Sequence, residues 1–392
     1  MVDFVKTDYP VVFVHGMFGW GENEGINNHF PYWGTTTGSL TEYLRCHGIE
    51  CYAASVGPMS SAWDQACELY AQLAGTRVDY GKAHSAVHNH KQYGRTYRKP
   101  LFDCWSENKK IHLIGHSFGG NVIRMLVYLL KYGSPEEIAV SGDEVSPLFV
   151  GGNEKLVCSI TAICTPLNGT SAYDTARRLR IISPLRYICF NYAAVLSRTF
   201  LHGRFLDFHL EQFGVNDTPG ISDKTGYVKA VKNMLMSEDN VEFDMSEKGI
   251  SRINETVKTV DSVYCFSYCF NSVEKKKNGV DSPLNCDFLF LKATSKLMLI
   301  YDKKAGVFAR GNDGLVDVAS AMFPKNEPYE MYDENVSLKP GVWNVMPIRR
   351  GDHGTPIGLF SDRRSIRSFY DEMVYILSAV ECNNKNRFEK HN

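Results

Sequence analysis

The chain predicts an α/β fold with a mainly parallel central sheet, and three observations carry that expectation. Apolar strand runs alternate with helix-like stretches, one run enters a Gly-x-Ser-x-Gly turn, and another ends in a Gly-rich loop. Strands are expected at Val11 to Val14, Cys51 to Val56, Ile111 to Ile114, Leu156 to Cys164 and Ser262 to Ser267, with helices over 36–47, 60–75 and 117–131. Near the C-terminal end, Ile366, Phe369, Met373, Ile376 and Leu377 recur at helical spacing, so Asp362 to Ala379 should pack on the sheet. The last ten residues, ending Lys390-His391-Asn392, read as a frayed tail.

At 392 residues with 44% hydrophobic content, the chain can build a substantial core, and it is read as one domain over 1–392. Two stretches, about 76–108 and 170–258, are too long for simple connections and are expected to be functional insertions. Lys+Arg 43 against Asp+Glu 44 leaves a formal charge of -1, which offers no long-range field for nucleic acid. No apolar run approaches the roughly 20 residues needed to span a bilayer. The N-terminus, Met1-Val2-Asp3-Phe4-Val5-Lys6, lacks the order of a signal peptide, leaving an intracellular chain or one starting at its mature end. The eleven cysteines are too sparse for a disulfide scaffold, with Cys46 and Cys51 the one pairing worth considering.

The turn Gly115-His116-Ser117-Phe118-Gly119 follows a strand and opens a helix, the layout of the nucleophile elbow of α/β-hydrolases. Val11 to Val14 followed by His15-Gly16-Met17-Phe18-Gly19 fits the loop that supplies the second oxyanion donor in that fold. The backbone N–H groups of Met17 and Phe118 are therefore the expected oxyanion donors. A serine hydroxyl needs a histidine to take its proton and a carboxylate to fix the imidazole, in the chain order Ser, acid, His. His202 and His209 fall in or beside the second insertion and His391 in the tail, which leaves His353 in Gly351-Asp352-His353-Gly354. Asp313, in the turn Gly311-Asn312-Asp313-Gly314, is preferred over Asp302, Asp317 and Asp333. Asp352 is set aside because adjacent side chains in an extended loop point apart.

Within the second insertion, Ser183-Pro184 starts a helix pattern with Leu185, Ile188, Tyr192, Val195, Leu196 and Phe200 on one stripe, the expected lid over the active-site mouth. The first insertion carries His84, His88 and His90, with Asp64 about one helix upstream. Such a cluster can hold zinc, and four protein ligands would make the ion structural. Spacing alone does not choose between His84 with His88 and His84 with His90. A catalytic metallohydrolase would need an open coordination position, which the complete serine set makes unnecessary.

The chain resembles the thermoalkalophilic zinc-containing lipases of Gram-positive bacteria and their staphylococcal relatives. The resemblance rests on Val14-His15-Gly16 with Gly19-Trp20-Gly21, Trp63-Asp64-Gln65-Ala66-Cys67, Val78-Asp79-Tyr80-Gly81, Gly94-Arg95-Thr96-Tyr97, Ser146-Pro147-Leu148-Phe149, Asn312-Asp313-Gly314 and Gly341-Val342-Trp343-Asn344. It implies an α/β-hydrolase fold with a zinc-bearing insertion and a helical lid, the triad Ser117, Asp313 and His353, and hydrolysis of acylglycerol esters through an acyl-serine. It also implies that Asp64, His84, His90 and Asp244 hold zinc, with His88 unliganded, and that the enzyme is secreted and works on lipid; a monomer is expected. Thr355 and Gly358-Leu359-Phe360 stand where the calcium ligands of those lipases would be, and they lack the anionic oxygens calcium prefers. Phe118 replaces the glutamine usual in the zinc-containing relatives, a change that leaves a backbone donor intact. An esterase of short soluble esters, a phospholipase or an acyltransferase would share this triad. A silent lipid-binding protein would not need it.

Overall fold

Seven parallel strands form the central sheet of the protein, whose computed structural model describes residues 5–178, 205–214, 233, 236–305 and 311–389. In chain order they are β1 (Val11–Val14), β2 (Cys51–Ala54), β3 (Ile111–His116), β4 (Val157–Ile163), β5 (Tyr264–Tyr268), β6 (Tyr329–Met331) and β7 (Trp343–Val345). Their spatial order is β6-β7-β5-β4-β3-β1-β2, which puts β3 and β4 at the centre. Every residue of β1, β3, β4 and β5 is buried, as expected of parallel strands covered on both faces.

Alternate side chains of these strands feed two cores. Val12, Val14, Leu113, Ile160 and Ala162 pack with Leu69 and Leu73 of helix Ala62–Ala74 and Val122, Leu126 and Leu129 of helix Gly119–Tyr132. Val11, Phe13, Ile114, Ile163 and Phe266 face Trp33, Leu40 and Leu44 on the other side, together with Ile366, Phe369, Tyr370, Met373 and Leu377 of the last helix. That helix is also anchored by charge and hydrogen bonding. Glu381 accepts the backbone N–H groups of Asp8 and Tyr9 and contacts His112 Nε2 at 2.8 Å.

The expected strands and helices are present with ends shifted by a few residues. The last helix runs Arg363–Glu389, through most of the segment expected to fray. A helix at Leu289–Ala305 and the strands β6 and β7 were not expected; both strands are three residues long and β6 is a half-exposed edge. Cys46 and Cys51 do not bridge: both are free thiols, and Cys51 Sγ donates to Thr41 O. The first insertion contains an antiparallel hairpin, Arg77–Asp79 with Tyr93–Thr96, flanking helix Lys82–His88. The lid stretch from Ser183 to Phe200 lies outside the described residues. Among the described residues no helix is long and apolar enough to cross a membrane.

Candidate active site and metal-ligand cluster

Where β3 ends, the chain must reverse into a helix within two residues, and Ser117 takes φ +55 to do so. A non-glycine residue in this left-handed region stores of order 1–3 kcal/mol of strain, and the turn is held by packing on either side. Ser117 N donates to Ile163 O of β4 at 2.8 Å. A Cβ on Gly119 would lie 2.3 Å from Val14 O, so only glycine lets the helix start pass this close to β1. Ser117 is the one residue between Lys110 and Gly120 that is not fully buried.

The loop after β1 presses against the serine from the other side. A Cβ on Gly16 would sit 2.7 Å from Ser117 Cβ. Among the described residues the N–H groups of Met17 and Phe118 find no protein acceptor, whereas Phe18 N reaches Pro58 O and Gly19 N reaches Gly16 O. Two unspent amides beside a serine match the donor arrangement that stabilises a tetrahedral oxyanion.

Asp313, downstream of helix Leu289–Ala305, and His353, downstream of β7, come together. His353 Nδ1 lies 2.8 Å from Asp313 Oδ2, while Oδ1 accepts the N–H groups of Leu315 and Val316. A carboxylate only accepts, so Nδ1 carries hydrogen, and Nε2 is the ring atom left to face a serine proton. The Cys164 thiol lies against the same carboxylate; burial first, and then the charge of Asp313, push it well above the usual thiol range. Three of the rival acids are otherwise engaged. Asp352 accepts from Asp287 N, Phe288 N and Cys286 Sγ through one oxygen and from Gly354 N and Thr355 N through the other. Asp317 accepts from the backbone and hydroxyl of Ser171, and Asp333 is exposed and bonded to Asn335.

A second cluster is built by the first insertion. Asp64, His84, His90 and Asp239 bring one ligand atom each within 4.8 Å of one another. His84 Nε2 is 3.3 Å from both Asp64 Oδ1 and Asp239 Oδ2, and His90 Nε2 is 3.0 Å from Asp239 Oδ2. These four atoms are buried without a hydrogen-bond partner, which fits a cation better than a hydrogen-bonded core. The set of two imidazoles and two carboxylates suits zinc and leaves no open position in a tetrahedral site.

This corrects one expectation. Asp239, and not Asp244, completes the cluster: the Asp244 carboxylate turns to the start of helix Ala62–Ala74 and accepts Ala62 N at 2.8 Å. Burial, and then the neighbouring Asp239, push the Asp244 carboxyl up to about 8. The surrounding contacts orient the ligands. His84 is stacked on Trp63 at 4.9 Å, Glu137 accepts Ala83 N and His84 N, His90 Nδ1 faces Lys91 O, and Gln212 Nε2 donates to Asp64 Oδ2. His88 stays outside the four, with its ring 4.5 Å from that of His84. Glu137 and Gln212 carry no motif that would have marked them, and Asp239 stands in a polar turn like many others.

Residues 7–385 match the family described as lipase-like, C-terminal domain. Lipase 2 of Staphylococcus aureus is 34% identical over 388 residues, which cover 95% of this chain and 54% of that protein. The chain thus spans about half the length of the curated relatives it matches. Among solved structures, the Staphylococcus hyicus lipase superposes with a TM-score of 0.83 at 32% identity, covering 96% of this chain and 97% of the other. EstA from Clostridium botulinum follows at TM-score 0.75 and 32% identity, covering 95% and 88%. The parallel sheet, its flanking helices and these matches establish that the chain belongs to the lipase-like, C-terminal domain family.

Proposed function

We propose that the protein is a lipase that hydrolyses carboxylic esters of acylglycerols through Ser117, His353 and Asp313, with a structural zinc held by Asp64, His84, His90 and Asp239. The observation that carries this reading is the 2.8 Å contact of His353 with a buried Asp313, with the His353 carbonyl 3.0 Å from Nε2 of His116, the residue before the strained elbow serine. Two unspent amides beside that serine support it further.

In the proposed reaction, Ser117 Oγ attacks the ester carbonyl as His353 Nε2 takes its proton. Asp313 holds the imidazole through Nδ1–H and balances the imidazolium charge. The Met17 and Phe118 amides receive the oxyanion, and loss of one such donor costs about 3 to 4 kcal/mol in barrier. His353 then protonates the departing alcohol, leaving an acyl-serine. Water, deprotonated by the same imidazole, releases the carboxylic acid and restores the serine. Bound zinc would supply a crosslink between the first insertion and the turn before helix Val241–Met245, and its charge would offset two buried carboxylates. An extracellular setting, a monomeric enzyme and a lid over the mouth belong to the same proposal.

Hydrolysis of p-nitrophenyl esters of increasing chain length, together with tributyrin below and above its solubility limit, tests this function. Activity that rises sharply on the emulsion and is lost in Ser117→Ala is the expected result. Simple saturation kinetics confined to short esters would make the protein an esterase. Equal activity in the wild type and Ser117→Ala would remove the mechanism.

A further inference from the structure

The residue before the nucleophile is fully enclosed yet polar. His116 is 2% exposed and is bonded at both ring nitrogens: Nδ1 to Tyr32 Oη at 2.7 Å and Nε2 to the main-chain oxygen of His353 at 3.0 Å. Tyr32 Oη in turn accepts Gly16 N at 3.0 Å. Each proton in this chain has only one place. The His353 carbonyl can only accept, so Nε2 of His116 carries hydrogen. Burial, and then the neighbouring His353, hold His116 well below the usual imidazole range, so the ring is neutral and its Nδ1 is an acceptor. Tyr32 must therefore donate to Nδ1, and its lone pair is what receives the Gly16 amide.

The two ends of this bridge matter. Gly16 immediately precedes Met17, whose amide is an oxyanion donor in the proposed reaction. His353 is the general base. The His116 ring also packs on the His353 ring at 4.8 Å, and Trp20 and Trp33 hold Tyr32 edge-on at 5.6 and 5.5 Å. His116, Cys164 and His353 offer ligand atoms within 4.8 Å of one another, but both His116 nitrogens are already spent on Tyr32 and on His353 O. A hydrogen-bond bridge accounts for the grouping without an ion.

We propose that Tyr32 and His116 are positioning residues which tie the oxyanion loop to the main chain of the catalytic histidine, fixing the spacing between oxyanion donor and general base. Neither touches substrate. The inference rests on the triad assignment proposed above, and it adds a part that the triad motif does not contain. Because reacting groups lose on the order of a hundredfold in rate for about 1 Å of misplacement, a bridge of this kind acts on turnover rather than on binding.

Two measurements test it. In wild-type protein with ¹⁵N-labelled histidine, NMR between pH 6 and 9 should show His116 neutral with hydrogen on Nε2. An Nδ1–H tautomer or an imidazolium at that ring overturns the bridge, and this readout needs no variant to fold. In kinetics on a soluble p-nitrophenyl ester, Tyr32→Phe should lower kcat by about ten- to hundredfold with KM within about twofold of wild type. His116→Gln should do the same, and the double variant should be no slower than the slower single one, because both break one connection. Unchanged kcat in a folded Tyr32→Phe, or losses that add in the double variant, overturns the proposal. Ser117→Ala assayed alongside separates the two levels: activity surviving there removes the triad, whereas its loss there with an unaffected Tyr32→Phe removes the bridge alone.

Discussion

His353 and Asp313 are joined twice: the imidazole Nδ1 meets the carboxylate Oδ2 at 2.8 Å, and the His353 backbone N–H donates to the Asp313 carbonyl at 2.8 Å. The side-chain bond sets the tautomer, and the backbone bond sets where the ring starts. Asp313→Asn keeps the backbone bond while offering an amide that favours the wrong imidazole tautomer. We expect kcat to fall by about 10³- to 10⁴-fold with little change in thermal stability. Steady-state kinetics on a soluble ester with a thermal melt checks this, and a loss under tenfold would mean that another acid orients His353.

Gly16 is a tight point between the oxyanion loop and the elbow. Adding a methyl group there places a carbon 2.7 Å from Ser117 Cβ and 3.1 Å from His116 O, so the loop or the serine must move. Gly16→Ala should therefore lower kcat by about a hundredfold or more while the far end of the sheet stays folded. Near-wild-type turnover with an unchanged circular dichroism spectrum would show that the loop does not set the reacting geometry.

The metal cluster makes a prediction that separates two neighbouring acids. Asp239→Ala should abolish zinc retention, because it removes the oxygen that lies within 3.3 Å of both His84 and His90. Asp244→Asn should retain zinc, since its contact is the Ala62 amide, which an asparagine oxygen can still accept. Metal analysis of both purified variants decides. Stripping the wild-type metal with a chelator should lower Tm, because binding free energy at such a site is folding free energy.

Behind the oxyanion loop, His209 is buried between Glu68, at 2.7 Å, and Glu24. Burial and the Arg95 guanidinium oppose its charge, but Glu68, Asp207 and Glu24 outweigh them and push it up to about 10. A folded value above the unfolded 6.5 means that this contribution is fully present below pH 6.5 and is lost as pH rises towards about 10. The melting temperature of the wild type should thus decline over that window more steeply than that of His209→Gln. Parallel declines would show that His209 is not charged in the folded state.

How much of this was legible in advance follows from where each signal resides. Ser117, Asp313 and His353 carry local chemistry, a strand-to-helix glycine turn and two Gly-rich loops, in a chain order that the fold restricts, so local patterns suffice to propose them. The strands buried on both faces were equally visible as largely apolar runs, broken only by His112, His116, Ser159, Thr161 and Ser267. The fourth cluster ligand was not: Phe243-Asp244-Met245-Ser246 and the polar turn around Asp239 look equally plausible, and only the packing of helix Val241–Met245 onto Ala62 decides which acid faces the histidines. The Tyr32–His116 bridge was hidden for another reason. Its meaning depends on which nitrogen carries a proton, and that is set by partners 84 and 237 residues away in sequence. β6 and β7 are too short to show a period, and Leu289–Ala305 is preceded directly by Phe288, so no capping side chain at that position announces it.

Intact-mass and peptide mass spectrometry after exposure to an alkyl p-nitrophenyl phosphonate reads the nucleophile itself. A single phosphonyl adduct on the peptide containing Ser117, absent in Ser117→Ala and formed far more slowly in His353→Ala, is the expected result. No adduct on an enzyme that still hydrolyses esters, or an adduct on a different residue, would contradict the serine mechanism.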